Sequence, residues 1–99
     1  MTLIWNGEAE DEFADAADYY DQQDDGLGDR FATHIQATVA RILSNPFMPR
    51  CFDGECRKVK ADKFPYMVVY LVEVGRVQII SVMHTSRSPD YWKSRLRSP

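Results

Sequence analysis

Long apolar runs are missing from this 99-residue chain. The longest, Tyr66 to Val72, is seven residues, far short of the roughly 20 that a membrane-spanning helix needs. The N-terminus, Met1-Thr2-Leu3-Ile4-Trp5-Asn6, has neither a basic opening nor a sustained apolar stretch, so it does not read as a secretory signal. A cytoplasmic protein with no membrane partner is expected. Cysteine and histidine are scarce, two of each. A structural zinc site needs four ligands at set spacings, and Cys51 and Cys56 lie remote in sequence from His34 and His84, so no metal and no other cofactor is expected. A reducing cytoplasm disfavours a disulfide, and nothing in the sequence activates either thiol, which leaves two free cysteines as the default. Glycine and proline number five each, too few for a disordered or low-complexity chain.

What is present is enough apolar material for a core: 44% of residues are hydrophobic and 12% aromatic. Ninety-nine residues support one domain, 1–99. The net charge of −3 argues against a general nucleic-acid coat protein. Its distribution is uneven. Residues 1–45 carry ten acids against Arg30 and Arg41, whereas residues 46–99 carry ten bases against five acids. A basic C-terminal half suits an anionic partner, either nucleic acid or an acidic protein segment. The plainer alternative is that each half solvates its own exterior.

Leu3-Ile4-Trp5, bounded by Asn6-Gly7, is β-prone and reads as an edge or joining strand. From Glu8, Ala9, Phe13, Ala16, Ala17 and Tyr20 fall on one helical face, with acids on the other, which predicts a helix over about 8–23. Asp25-Gly26-Leu27-Gly28 is a turn. Leu27, Phe31, Ile35, Val39, Ile42 and Leu43 mark the face of a second helix over about 27–45, stopped by Asn45-Pro46. A loop from Phe47 to Gly54 follows. The period then changes to that of strands: Cys56 to Lys60, Tyr66 to Val74 and Val77 to His84, the last two joined at Val74-Gly75. The crowded Tyr66 strand is apolar on both faces, so it should be central, with its second face covered or grooved. Ser88-Pro89 opens a short basic helix or tail over Asp90 to Arg97. The short connections after Glu55 permit antiparallel pairing, so the expected fold is α+β, an N-terminal helical hairpin packed on an antiparallel sheet.

Several residues in this order resemble a known family. They are Tyr19-Tyr20, the Gly26-Leu27-Gly28 turn with Phe31, Asn45-Pro46, Arg57 ahead of Phe64-Pro65-Tyr66, Tyr70, and the ending His84, Arg87, Pro89, Tyr91-Trp92. From Ala9 to Arg95 the chain resembles the RelE/ParE superfamily of type II toxin–antitoxin toxins. The resemblance implies a metal-free α+β toxin that halts growth unless a cognate antitoxin wraps it. RelE-like members cut messenger RNA in the ribosome, whereas ParE-like members poison DNA gyrase. Ribonuclease members commonly carry an arginine three residues before the tyrosine matching Tyr70, and this chain has Met67 there. Together with the acidic composition, this tilts the expectation towards a gyrase inhibitor, with a messenger endoribonuclease or a non-toxic, antitoxin-binding relative as alternatives.

RNA cleavage needs a base for the ribose 2′-hydroxyl, cations for the charged phosphorane and an acid for the leaving oxygen. Arg57 and Arg87 are candidate catalytic cations, and His84 and Tyr91 candidate proton carriers. An acidic antitoxin segment laid across the sheet and terminal helix would meet Lys58, Lys60, Tyr66, Tyr70 and Trp92. Each also has a structural reading. His84 can bond a backbone group, Arg57 can pair with an acid across the sheet, and Arg87 can brace the turn at Pro89. Lys58 and Lys60 share a face that needs only water, Phe64, Tyr66 and Tyr70 fill core, and Trp92 anchors the last helix as a lid.

Overall fold

The computed structural model describes residues 1–88 and 90–96. A short strand, β1 (Thr2–Trp5), leads into helices α1 (Gly7–Gln23) and α2 (Leu27–Ser44). Strands β2 (Cys56–Lys60), β3 (Tyr66–Glu73) and β4 (Arg76–His84) follow, and a single 3-10 turn (Lys93–Leu96) ends the described chain. Among the described residues no helix is long and apolar enough to cross a membrane.

Asn6 starts α1 by accepting the Glu8 amide on its side-chain oxygen at 2.8 Å, and Glu8 and Glu10 lie in the first turn, at the positive end of the helix dipole. Gly26, at φ +83°, makes the left-handed step between the helices that a side chain resists. Asp21 then receives the Gly28 amide at 2.8 Å, which satisfies one of the orphan N–H groups opening α2. The expected apolar stripes face inward. Ala9, Ala16, Phe31, Ile35, Val39 and Ile42 are buried, while Phe13, Tyr20, Leu27 and Leu43 pack at the margin. Thr38 is also buried, its hydroxyl donating to the His34 carbonyl one turn back.

The sheet order is β1-β4-β3-β2. The antiparallel expectation holds for β2–β3 and β3–β4, but β1 joins β4 in parallel. The short connections that impose antiparallel pairing act only after Glu55; β1 reaches β4 through the whole helical hairpin and two strands, so nothing local sets its direction. Both β3 and β4 are therefore interior. The terminal helix expected over Asp90–Arg97 is the shorter 3-10 turn; Pro89 and Arg97 lie outside the described residues.

A bulge shapes β4. Val69 pairs with Ser81 but Tyr70 pairs with Ile79, leaving Ile80 as the extra residue. An inserted residue resets the alternation of faces, so Val77, Ile79 and Val82 all meet the helices, whereas Ile80 and Met83 face away. The second face is not bare: Trp92 packs there on Cys56, Val69, Ile80 and Met83, with Met67 and Leu71 alongside.

Gly28 is where the two helices approach most tightly, since a Cβ there would overlap the Ala17 carbonyl and sit 2.7 Å from the Asp21 carboxylate. Gly28→Ala is expected to destabilise the fold by about 2–3 kcal/mol, the scale of overpacking a rigid contact, read as a lower urea midpoint at unchanged slope.

Candidate functional site

Beyond Trp5 the chain leaves β4 for α1; the last bond of that edge is Asn6 N–H to the Ile79 carbonyl, at 2.9 Å. The next residues of β4 would expose unpaired backbone groups. Glu12, in the second turn of α1, fills the place of a strand: its carboxylate accepts the Val82 amide at 3.1 Å and the Ser81 hydroxyl at 2.9 Å. Arg95 closes the arrangement, donating to both Glu12 oxygens at 2.6 and 3.2 Å and to the Ile80 carbonyl at 3.1 Å. Its Nε meets Glu8 at 3.2 Å. The Arg95 and Glu12 side chains are only 6% and 15% exposed. Burial works to lower the Arg95 pKa, but the hydrogen bond and charge of Glu12, with Glu8, outweigh it and raise the pKa.

This clamp holds Trp92 over the second face and leaves a groove of about 200 Å³ lined by Phe52, Lys58, Met67, Val69, Met83, Thr85, Arg87 and Trp92. It contains two cations and no imidazole, phenol or carboxylate. Lys58 lies with its ammonium 4.5 Å from the centre of the Phe52 ring.

The proton carriers are on the other side. His84 pairs with Tyr66 at the end of the β3–β4 ladder, and both line a cleft of about 570 Å³ with Tyr19, Tyr20, Ser86 and Arg87. His84 Nδ1 accepts the Ser86 amide at 3.0 Å, and the Ser86 hydroxyl lies 2.8 Å from the same nitrogen. Burial pushes the Tyr66 phenol above its ordinary value, and the nearby Arg87 offsets this only in part. It is a neutral hydroxyl at pH 7.

Of the four catalytic candidates, His84, Arg87 and Tyr91 come together, all three lining one polar pocket. The Tyr91 ring lies between two guanidiniums, with Arg87 at 5.0 Å and Arg95 at 5.1 Å. Arg57 is elsewhere, two strands over and four residues along β3, roughly 16 Å away by strand spacing. It does not pair with an acid across the sheet. Instead Nη1 donates to the Phe47 and Pro49 carbonyls. Among the partner candidates, Lys58, Lys60 and Tyr66 are reachable, but Tyr70 and Trp92 are fully buried and present no surface. Tyr70 donates its hydroxyl to the Pro46 carbonyl at 2.7 Å. Lys60 turns back on the Ala61 carbonyl at 3.1 Å. Cys51 and Cys56 are free thiols, and burial pushes Cys56 up to about 11, so it is no nucleophile at neutral pH.

The match to known proteins agrees with this architecture. Residues 3–89 match the family of the ParE toxin of the type II toxin–antitoxin system parDE. The chain belongs to the ParE toxin family. Its fold is similar to that of the chromosomal ParDE system of P. aeruginosa, with a TM-score of 0.74 at 17% identity over 85% of this chain and 95% of that one. It is similar also to the E. coli RelBE toxin–antitoxin complex, with a TM-score of 0.64 at 21% identity over 87% and 98%. The isolated E. coli RelE toxin gives the same score and identity over 94% and 93%. No curated protein sequence matches significantly.

Two features of this ParE-family chain lay outside the sequence reading. The Glu12–Arg95 pair spans 83 residues, and no local pattern announces it. The loop after α2 carries exposed Phe47 and Met48, for which the one available signal is two apolar residues bracketed by Pro46 and Pro49. Arg95→Met should cost about 1–3 kcal/mol, because it leaves the part-buried Glu12 carboxylate without its cation. Chemical unfolding measures the loss. Restoring balance with the Glu12→Gln/Arg95→Met double variant should recover part of it.

Proposed function

We propose that this chain is a growth-inhibiting toxin that acts in the cytoplasm by binding DNA gyrase, and that a cognate antitoxin holds it silent. The observation that carries this reading is the company of the proton carriers: of Arg57, Lys58, Lys60 and Arg87, Arg87 alone lines a pocket with His84 and Tyr91, and Glu12 and Asp15 line it too. The groove holding Lys58 has, among the described residues, no group able to take or give a proton, and the carboxylates of Glu12 and Asp15 in the pocket of Arg87, His84 and Tyr91 repel a phosphate. Cleavage at a ribose needs base, acid and cation around one phosphate. Inhibition by binding needs only a shaped surface.

The antitoxin has a place to bind. An apolar groove of about 630 Å³ lies between α1, α2 and β1, lined by Leu3, Trp5, Phe13, Val39, Ala40 and Leu43, with Glu10 and Gln36 at its rim. Its size and composition suit the apolar face of a partner helix. An acidic continuation of the same partner would reach Lys58 and Lys60 on the basic half.

The ribonuclease reading has one observation in its favour, that Lys58 and Arg87 share a groove and together would stabilise a charged phosphorane. Mapping new 5′ ends on ribosome-bound messenger after induction separates the two. No codon-phased cuts are expected, and purified protein should inhibit gyrase supercoiling. Phased cuts that disappear with Arg87→Ala would establish the nuclease instead.

A further inference from the structure

Phe47 and Met48 are 60% and 74% exposed, yet side chains of the sheet brace the loop that carries them. The Tyr70 hydroxyl holds the Pro46 carbonyl at 2.7 Å. Arg57 holds the Phe47 and Pro49 carbonyls and places its guanidinium 5.3 Å from the centre of the Phe47 ring. The Met48 amide bonds the Asn45 carbonyl at 3.2 Å. Two prolines restrict the backbone on either side of the pair.

This bracing has a cost. Among the described residues, the buried Arg57 Nε has no hydrogen-bond partner, and a buried unpaired donor is unfavourable. A loop that serves only to connect α2 to β2 does not need such an arrangement. Presenting an aromatic ring and a methionine in one fixed conformation does, since preorganisation reduces the ordering cost of binding. Aromatic residues, methionine and arginine are also the side chains enriched at protein interfaces.

We propose that residues 46–50 are the contact by which this chain grips its target enzyme, Phe47 and Met48 entering an apolar pocket whose rim is acidic. The charge of the rim follows from the loop's own surroundings. Arg50 adjoins the pair, Arg57 lies over Phe47, and Arg41 lines the same small cavity as Met48. Residues 42–52 contain no acid, in a chain whose net charge is −3. The antitoxin groove lies on the other flank of α2, towards β1, so the two surfaces are separate.

This inference rests on the target-binding reading above. The test compares wild type with Phe47→Ser/Met48→Ser for affinity to purified DNA gyrase, for complex formation with the antitoxin and for melting temperature. Because both side chains are exposed, the fold and the antitoxin complex should be unchanged. Gyrase affinity should fall at least about 30-fold, the scale of losing a central anchor, and Arg50→Glu should weaken it further. A double variant that binds gyrase as wild type does overturns the inference alone. Loss of antitoxin binding also overturns it, by making the loop an antitoxin contact. Wild-type protein that does not bind gyrase overturns the functional reading, and the inference with it.

Discussion

The part-buried pair of Glu12 and Arg95 is the interaction on which the rest of the molecule depends. It answers a problem created at Asn6, where β1 stops and α1 begins while β4 continues. Without it, the bulged segment Ile80–Val82 would leave a carbonyl and an amide with no strand beside them. A side chain from α1 and another from the C-terminal turn take those bonds instead. The bidentate geometry makes the pair both strong and directional, and it ties the first helix, the interior strand and the chain end together.

From that tie follows the division of the surface. With the C-terminal turn fixed, Trp92 covers the second face of the sheet, and what remains there is a narrow groove with two cations. The residues able to move protons, His84, Tyr66 and Tyr91, line a pocket beside α1, with His84 Nδ1 bonded to the Ser86 amide. The apolar groove beside β1 and the braced loop after α2 occupy opposite flanks of the helical layer. A small protein thereby carries two separate apolar surfaces, and the one pocket that gathers His84, Tyr91 and Arg87 is shared with the carboxylates of Glu12 and Asp15. That arrangement belongs to binding more readily than to bond cleavage.

The helices and the β2–β3–β4 order were legible because hydrophobic periodicity is a local signal, and the Phe31 and Val68 faces obey it. The direction of β1 was not, since its pairing is set by contacts with residues more than 70 positions away. The site was legible only in part. His84, Arg87 and Tyr91 were picked out by residue chemistry and do converge. Arg57 was picked out on the same grounds, yet its guanidinium serves the backbone of the 46–50 loop. Tyr70 and Trp92 were read as antitoxin contacts, with core filling and a lid as their structural alternatives, and both are buried in those structural places. Each departure traces to a long-range hydrogen bond that no spacing rule contains.

Native-state hydrogen exchange tests the clamp most directly. The Val82 amide, held by Glu12, and the Lys93 and Arg95 amides of the C-terminal turn are predicted to exchange slowly and to share protection close to that of the sheet core. Rapid exchange at Lys93 and Arg95 beside a protected core would show that the chain end is not held. The second face would then be open, contradicting the account.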